Sequence, residues 1–257
     1  IMYKIKFKDL ILISNKKRIS SNFETIFFFY GIGNSSDDFN FLIKKLNKKY
    51  QLLIPELPGH NNDKFNSKFS LINYAKSIVL LILKNNLRNL VFFSHSVGGI
   101  IPILIAKQIK QKKKIKKFFS YEGNLSEFDT DTITKKTLNY KMNEFDNKFK
   151  NLIRICEESN KRAIRLWSDS LKKTSPKAFY NISKDTIMLS KTKILLQFFR
   201  VFFKRKLYLF GSDSLLSFSK FVFGSERLII KNTGHFAFYD DKTGFLNIFL
   251  KLIYNCK

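Results

Sequence analysis

Apolar positions along this chain fall into two rhythms. One is the short continuous run: Glu24 to Tyr30 ending in Gly31, Tyr50 to Ile54 closed by Pro55-Glu56-Leu57-Pro58-Gly59, Leu90 to Phe93, Lys117 to Tyr121, Lys206 to Phe210 and Arg227 to Ile230. Runs of this length and kind predict strands covered on both faces. Tyr3 to Asp9 and Leu10 to Ser14 predict a short strand pair at the start. The second rhythm is helical. Ser35 to Lys48 carries Phe39, Leu42, Ile43 and Leu46 on one stripe. A further amphipathic helix follows the N-cap candidate Ser70, an apolar helix covers Ile100 to Ala106, and a last helix covers Lys242 to Tyr254. Strands alternating with helices imply an α/β fold with a mostly parallel central sheet flanked by helices. From about Leu125 to Phe203 the strand signal disappears. That stretch reads as a helical insertion, residues 125–203, within a single domain of residues 1–257.

The ends of the predicted strands carry the candidate chemistry. Ser94-His95-Ser96-Val97-Gly98-Gly99 joins a buried strand to an apolar helix. A nucleophilic serine at the top of a parallel sheet requires such a sharp turn, flanked by small residues. Ser96 stands at the apex, with Gly98 two residues after it; Ser94 stands where the usual pattern has Gly. The helix start offers backbone N–H groups to an oxyanion, that of Val97 first. A second donor is expected from Tyr30-Gly31-Ile32-Gly33, where the N–H of Ile32 turns toward the site. A general base is expected at His235, in Asn232-Thr233-Gly234-His235 after the last strand. The chain has only His60, His95 and His235, and each lies at a strand end. For the acid that orients the base, Asp213 in Phe210-Gly211-Ser212-Asp213-Ser214 is the first choice. Glu122 and Asp129, after an earlier strand, are the alternatives.

Assembled, these segments resemble the α/β-hydrolase superfamily over nearly the full length. Tyr30-Gly31 is similar to that family's His-Gly strand end, with Tyr for His. Pro55-Glu56-Leu57-Pro58-Gly59-His60 is similar to its Asp-x-Pro-Gly-His-Gly loop, with Glu56 for Asp and Asn61 for the last Gly. Ser94 to Gly99 resembles the nucleophile elbow, Gly234-His235-Phe236 the histidine loop, and the order Ser96, Asp213, His235 the family's nucleophile, acid and base. The resemblance implies a serine esterase or thioesterase working through an acyl-enzyme, with Ile32 and Val97 as the oxyanion hole. It gives His60 and His95 structural roles. It makes the insertion a cap whose aromatic residues, Trp167 and Phe179 among them, partly line an acyl-binding cleft. A non-catalytic binding protein, acyl transfer and carbon–carbon hydrolysis are the alternatives the same fold allows.

Composition changes this picture little. The 257 residues, 44% of them hydrophobic, suffice for one sizeable core. The formal net charge of +27 invites a nucleic-acid or membrane-surface reading, but lysines run from Lys4 to Lys257. The one dense run, Lys110 to Lys117, lies where a helix ends and a strand begins. No nucleic-acid partner is expected. The charge instead suits a small acyl ester or thioester substrate, including one carried on coenzyme A or an acidic carrier protein. Cys156 and Cys256 suggest neither a disulfide framework nor a zinc site, and no cofactor is expected, since the Gly-containing turns do not match a phosphate cradle. With no apolar run long enough to span a bilayer and no signal-peptide core, the expected location is cytoplasmic.

Overall fold

The computed structural model describes residues 2–66, 68–109, 114–126, 133–192, 194–214 and 226–254. Eight strands form one sheet: β1 (Tyr3–Phe7), β2 (Leu10–Ser14), β3 (Glu24–Phe29), β4 (Tyr50–Pro55), β5 (Leu90–His95), β6 (Ile115–Tyr121), β7 (Arg205–Gly211) and β8 (Arg227–Ile230). Their order is β1-β2-β4-β3-β5-β6-β7-β8. β1 and β2 form an antiparallel hairpin, β2 meets β4 antiparallel, and the remaining neighbours are parallel. The helices are α1 (Asn40–Ile43), α2 (Leu71–Lys84), α3 (Ile100–Gln108), α4 (Ile133–Thr137), α5 (Met142–Glu157), α6 (Arg162–Leu171), α7 (Pro176–Ser190), α8 (Ile194–Phe202), α9 (Ala237–Asp240) and α10 (Lys242–Tyr254).

The continuous apolar runs become central strands because helices cover both faces. β4 and β5 are buried at every position. Phenylalanine fills the layer between sheet and helices: Phe93 stacks on Phe28 at 5.4 Å between ring centres and meets Phe249 of α10 edge-on at 5.2 Å. Edge-to-face and offset pairs of this kind add to the area that each ring buries. α2 begins where expected, with the Ser70 hydroxyl accepting from the Asn73 N–H, a cap worth about 1 kcal/mol.

The expected helix from Ser35 to Lys48 is broken. A 3-10 turn spans Ser36–Phe39 and α1 ends at Ile43. The side chains of Ser36 and Asp38 bond sideways, to Glu56 and Ser170, and so tie the first turn to neighbouring elements. After β6 the strand-free stretch is helical, as its periodicity predicts. Of these helices, α8 lies against α3 and sets Phe199 on Phe118 of β6, whereas α6 reaches α9.

One topological feature positions the site. β3 lies between β4 and β5, so the chain leaves β3 toward one side of the sheet and returns on the other. In open parallel sheets such a switch point opens a crevice at the carboxyl ends of the strands. Tyr30 follows β3 and Ser96 follows β5 at that end.

Candidate active site

Ser96 stands on the turn between β5 and α3 with φ of +53°. For a non-glycine residue this left-handed conformation is costly and persists where the surroundings enforce it. The surroundings are close. A methyl group on Gly98 would collide with the backbone of Phe29 and Tyr30, and one on Gly31 would stand 2.8 Å from Cβ of Ser96. The two strand-end loops therefore pack backbone to backbone. Ser94, in the position where glycine is usual, is accommodated because its hydroxyl donates to Ser120 at 3.3 Å. The N–H groups of Ile32 and Val97, the expected oxyanion donors, make no hydrogen bond among the described residues. Val97 lies in the first turn after β5, where helical geometry leaves N–H groups free.

His235 is brought to this end of the sheet by the loop after β8. Its carbonyl accepts from Nε2 of His95 at 2.9 Å, and the two imidazole rings lie 4.7 Å apart. The Tyr121 hydroxyl donates to the Gly234 carbonyl, and the Gly234 N–H donates to Asp240 at 2.9 Å. His95 is fully buried, and that burial, reinforced by the neighbouring His235, holds its imidazole well below the usual histidine range. It is a neutral donor through Nε2, which fastens the histidine loop to the elbow.

The carboxylate bonded to His235 is not that of Asp213, the first choice from the sequence. Nδ1 of His235 bonds Oε2 of Glu122 at 2.7 Å, and Oε1 of Glu122 accepts the Gly211 N–H at 3.0 Å. Glu122 is 1% exposed and has φ of +43°, which turns it back over the end of β6. Asp213 is exposed; its carboxylate accepts the Ser212 hydroxyl at 3.1 Å, and its N–H is tied to the Thr233 carbonyl. Asp213 is therefore near the histidine loop but is not the residue paired with the imidazole. The correction rests on geometry. β6 and β7 are neighbours, so both of their ends reach the same histidine, and the left-handed turn at residue 122 directs the glutamate inward. Asp129 lies outside the described residues.

The same loop holds a residue absent from the sequence reading. Ser96 Oγ donates to Oδ1 of Asn124 at 3.3 Å, and the Asn124 N–H donates to the Ser96 carbonyl at 3.1 Å. Ser96 and His235 share no hydrogen bond in this state. The signal that points to Asn124 is its place two residues after Glu122 in a buried strand end, a pattern that geometry alone makes meaningful.

Two departures from the family pattern compensate each other. Tyr30 donates its hydroxyl to Glu56 and accepts the Leu57 N–H at 2.7 Å. Glu56 also accepts from the Ser36 hydroxyl and from Asn61 at 3.0 Å. His60 lies beneath the Gly31–Gly33 turn, where its Nε2 accepts the Gly33 N–H at 3.0 Å. Its complete burial lowers its pKa to about 4.

A sheet with this order, an elbow serine and a carboxylate-bound histidine defines the α/β-hydrolase class. The family model described as alpha/beta hydrolase fold matches residues 24–242, and the chain belongs to that family. Among curated proteins it is similar to "Putative esterase/lipase 3" of Mycoplasma genitalium, 26% identical over 229 residues, covering 84% of this chain and 81% of that protein. It is 28% identical over 90 residues to "Putative esterase/lipase 2" of Mycoplasma pneumoniae, where the match spans 34% of that protein. Among solved structures, a Nitrososphaera gargenis structure from work on carboxylesterases superposes with a TM-score of 0.71 at 13% identity, covering 97% of each chain. The N-acyl homoserine lactonase AidH superposes with a TM-score of 0.73 at 14% identity, covering 100% of this chain and 97% of that one. At these identities the structural likeness speaks for the fold. No described helix is long and apolar enough to cross a membrane.

Proposed function

We propose that this chain is a serine hydrolase that cleaves a carboxylic ester or thioester of modest size through an acyl-enzyme. Ser96 is the nucleophile, His235 the general base, and Glu122 the acid in place of Asp213. The observation that carries the reading is the 2.7 Å bond between a buried carboxylate and Nδ1 of a histidine whose own carbonyl is bound by His95 of the elbow. That bond places the proton on Nδ1 and leaves Nε2 as the free base. The His235 side chain is 39% exposed, so the base is open to a substrate and to water.

In the proposed cycle the Ser96 hydroxyl rotates from Asn124 to Nε2 of His235 and gives up its proton as Oγ attacks the acyl carbon. The negative charge that develops on the carbonyl oxygen is met by the N–H groups of Ile32 and Val97, which make no hydrogen bond among the described residues. Collapse breaks the bond to the alkoxide or thiolate, which takes the proton from His235. Water, deprotonated by the same imidazole, then attacks the acyl-enzyme and releases the acid, and Ser96 regains its proton. Glu122 keeps its bond to Nδ1 and stabilises the imidazolium that forms. Helices α4 to α7 form the cap, with the Trp167 ring of α6 tilted against Phe236, next to the base in sequence, at 5.3 Å between ring centres.

The esterase/lipase relatives favour an oxygen ester. A basic surface also suits acyl groups on coenzyme A or an acidic carrier in the cytoplasm. The test is labelling by a fluorophosphonate probe together with a panel of short- and long-chain esters and thioesters. The native chain is expected to label and to turn over one class. Ser96→Ala is expected to lose both, with a fall in kcat of about 10³-fold or more. Equal labelling of the two proteins would overturn the assignment.

A further inference from the structure

Asp38, on the 3-10 turn after the Gly31–Gly33 loop, takes no part in the proposed chemistry, yet its carboxylate gathers donors from that loop and from α6 and, through Asn34, reaches α9. The Ser35 N–H donates to Oδ2 at 2.9 Å and the Asn34 amide at 3.0 Å. The Asn34 N–H in turn closes the loop onto the Gly31 carbonyl at 3.2 Å. Ser170 of α6 donates its hydroxyl to both carboxylate oxygens at 2.9 Å. Tyr239 of α9, four residues after His235, accepts from the same Asn34 amide at 3.4 Å. The groups that donate to the carboxylate are all neutral.

The arms lead to functional places. Asn34 and Ser35 continue directly from Ile32. Tyr239 belongs to the short helix that follows the base. Ser170 belongs to the helix whose Trp167 and Leu171 cover Gly33 so closely that a methyl group there would meet both side chains. A second clasp at this edge, between Asp37 and Lys173 at 3.4 Å, is exposed and weak by comparison.

We propose that Asp38 is a positioning residue that latches helix α6 to the oxyanion loop and to the histidine loop, so that closing the roof and setting the Ile32 donor are one event. A carboxylate can accept from several donors at once, which no neutral side chain of its size can do. That capacity is why one residue can join three elements. Removing it frees α6 and the loop together. Removing only the Ser170 arm frees α6 and leaves Asn34 and Ser35 anchored. The catalytic consequence rests on the hydrolase reading; the mechanical one does not.

Segment-resolved hydrogen exchange on the full chain tests the latch. In Asp38→Asn, which keeps the size but presents an amide donor to the donors, exchange is expected to rise about tenfold both in residues 31–36 and in α6, with β5 unchanged. In Ser170→Ala, exchange is expected to rise in α6 alone. Wild-type protection of either segment in Asp38→Asn would overturn the proposal. Should that variant fail to fold, unchanged α6 protection in Ser170→Ala would do so instead. For turnover of whichever ester the native chain accepts, Asp38→Asn is expected to lower kcat about tenfold, and Ser170→Ala to act chiefly on KM. Adding Ser170→Ala to Asp38→Asn is expected to cost nothing further. If the native chain neither labels nor hydrolyses, the hydrolase reading fails and the exchange result still decides the latch.

Discussion

Two glutamates follow strands on either side of the β3–β5 pair in nearly the same way and meet different kinds of partner. Glu56, after β4, is 4% exposed, and Glu122, after β6, is 1% exposed. Among the described residues neither has a lysine or arginine as its hydrogen-bond partner. Glu56 is surrounded by neutral donors from Tyr30, Ser36 and Asn61, a closed set that fixes two loops in place. Glu122 has one oxygen fixed by a backbone N–H and the other directed at an imidazole that is itself open to solvent. Burial and residue type do not distinguish the two. What differs is whether the carboxylate's partner can take up and release a proton.

That contrast is sharpest in activity. Glu122→Gln is expected to lower kcat/KM by a factor on the order of 10³ or more, because the amide no longer stabilises the imidazolium and can favour the wrong tautomer. Asp213→Asn is expected to stay within about threefold of the native value. Reversal of this order in steady-state assays would return the acid to the end of β7.

The next effect concerns the loop between the two regions. His60 accepts the Gly33 N–H and is held neutral by burial, with a pKa of about 4. A histidine whose folded pKa is depressed resists a proton that the unfolded chain accepts. Stability is therefore fully present above about pH 6.5 and is lost as pH falls toward 4, by about 3 kcal/mol in all. Thermal melts between pH 7 and 4 should show this fall, and His60→Gln should reduce it, leaving the share that the buried His95 contributes in the same direction.

The smallest effect tests the structural glutamate. Tyr30→Phe removes one donor from Glu56 and the acceptor of the Leu57 N–H. It is expected to cost about 1–3 kcal/mol in denaturant unfolding while changing kcat less than Glu122→Gln does. A loss of activity as large as that of Glu122→Gln would erase the distinction between the two carboxylates.

The departures from the family pattern gain meaning from the same comparison. Tyr30 and Glu56, each unusual in its own segment, are partners 26 residues apart. Ser94 is tolerated because Ser120 on the adjacent strand receives its hydroxyl. These pairs are invisible along the chain because each lies across strands.

The chain's own pattern determined the architecture and the two local motifs that carry Ser96 and His235. Continuous apolar runs alternating with helical stripes leave few arrangements other than a mostly parallel sheet. The elbow and the histidine loop are local motifs whose geometry is written within a few residues. The carboxylate that meets His235, the Ser96–Asn124 contact and the donors gathered on Asp38 were decided only in three dimensions. Adjacent parallel strands end about 5 Å apart, so side chains from β6 and β7 compete for one imidazole. A single left-handed residue, Glu122, settles that competition through its backbone direction, which residue type alone does not encode.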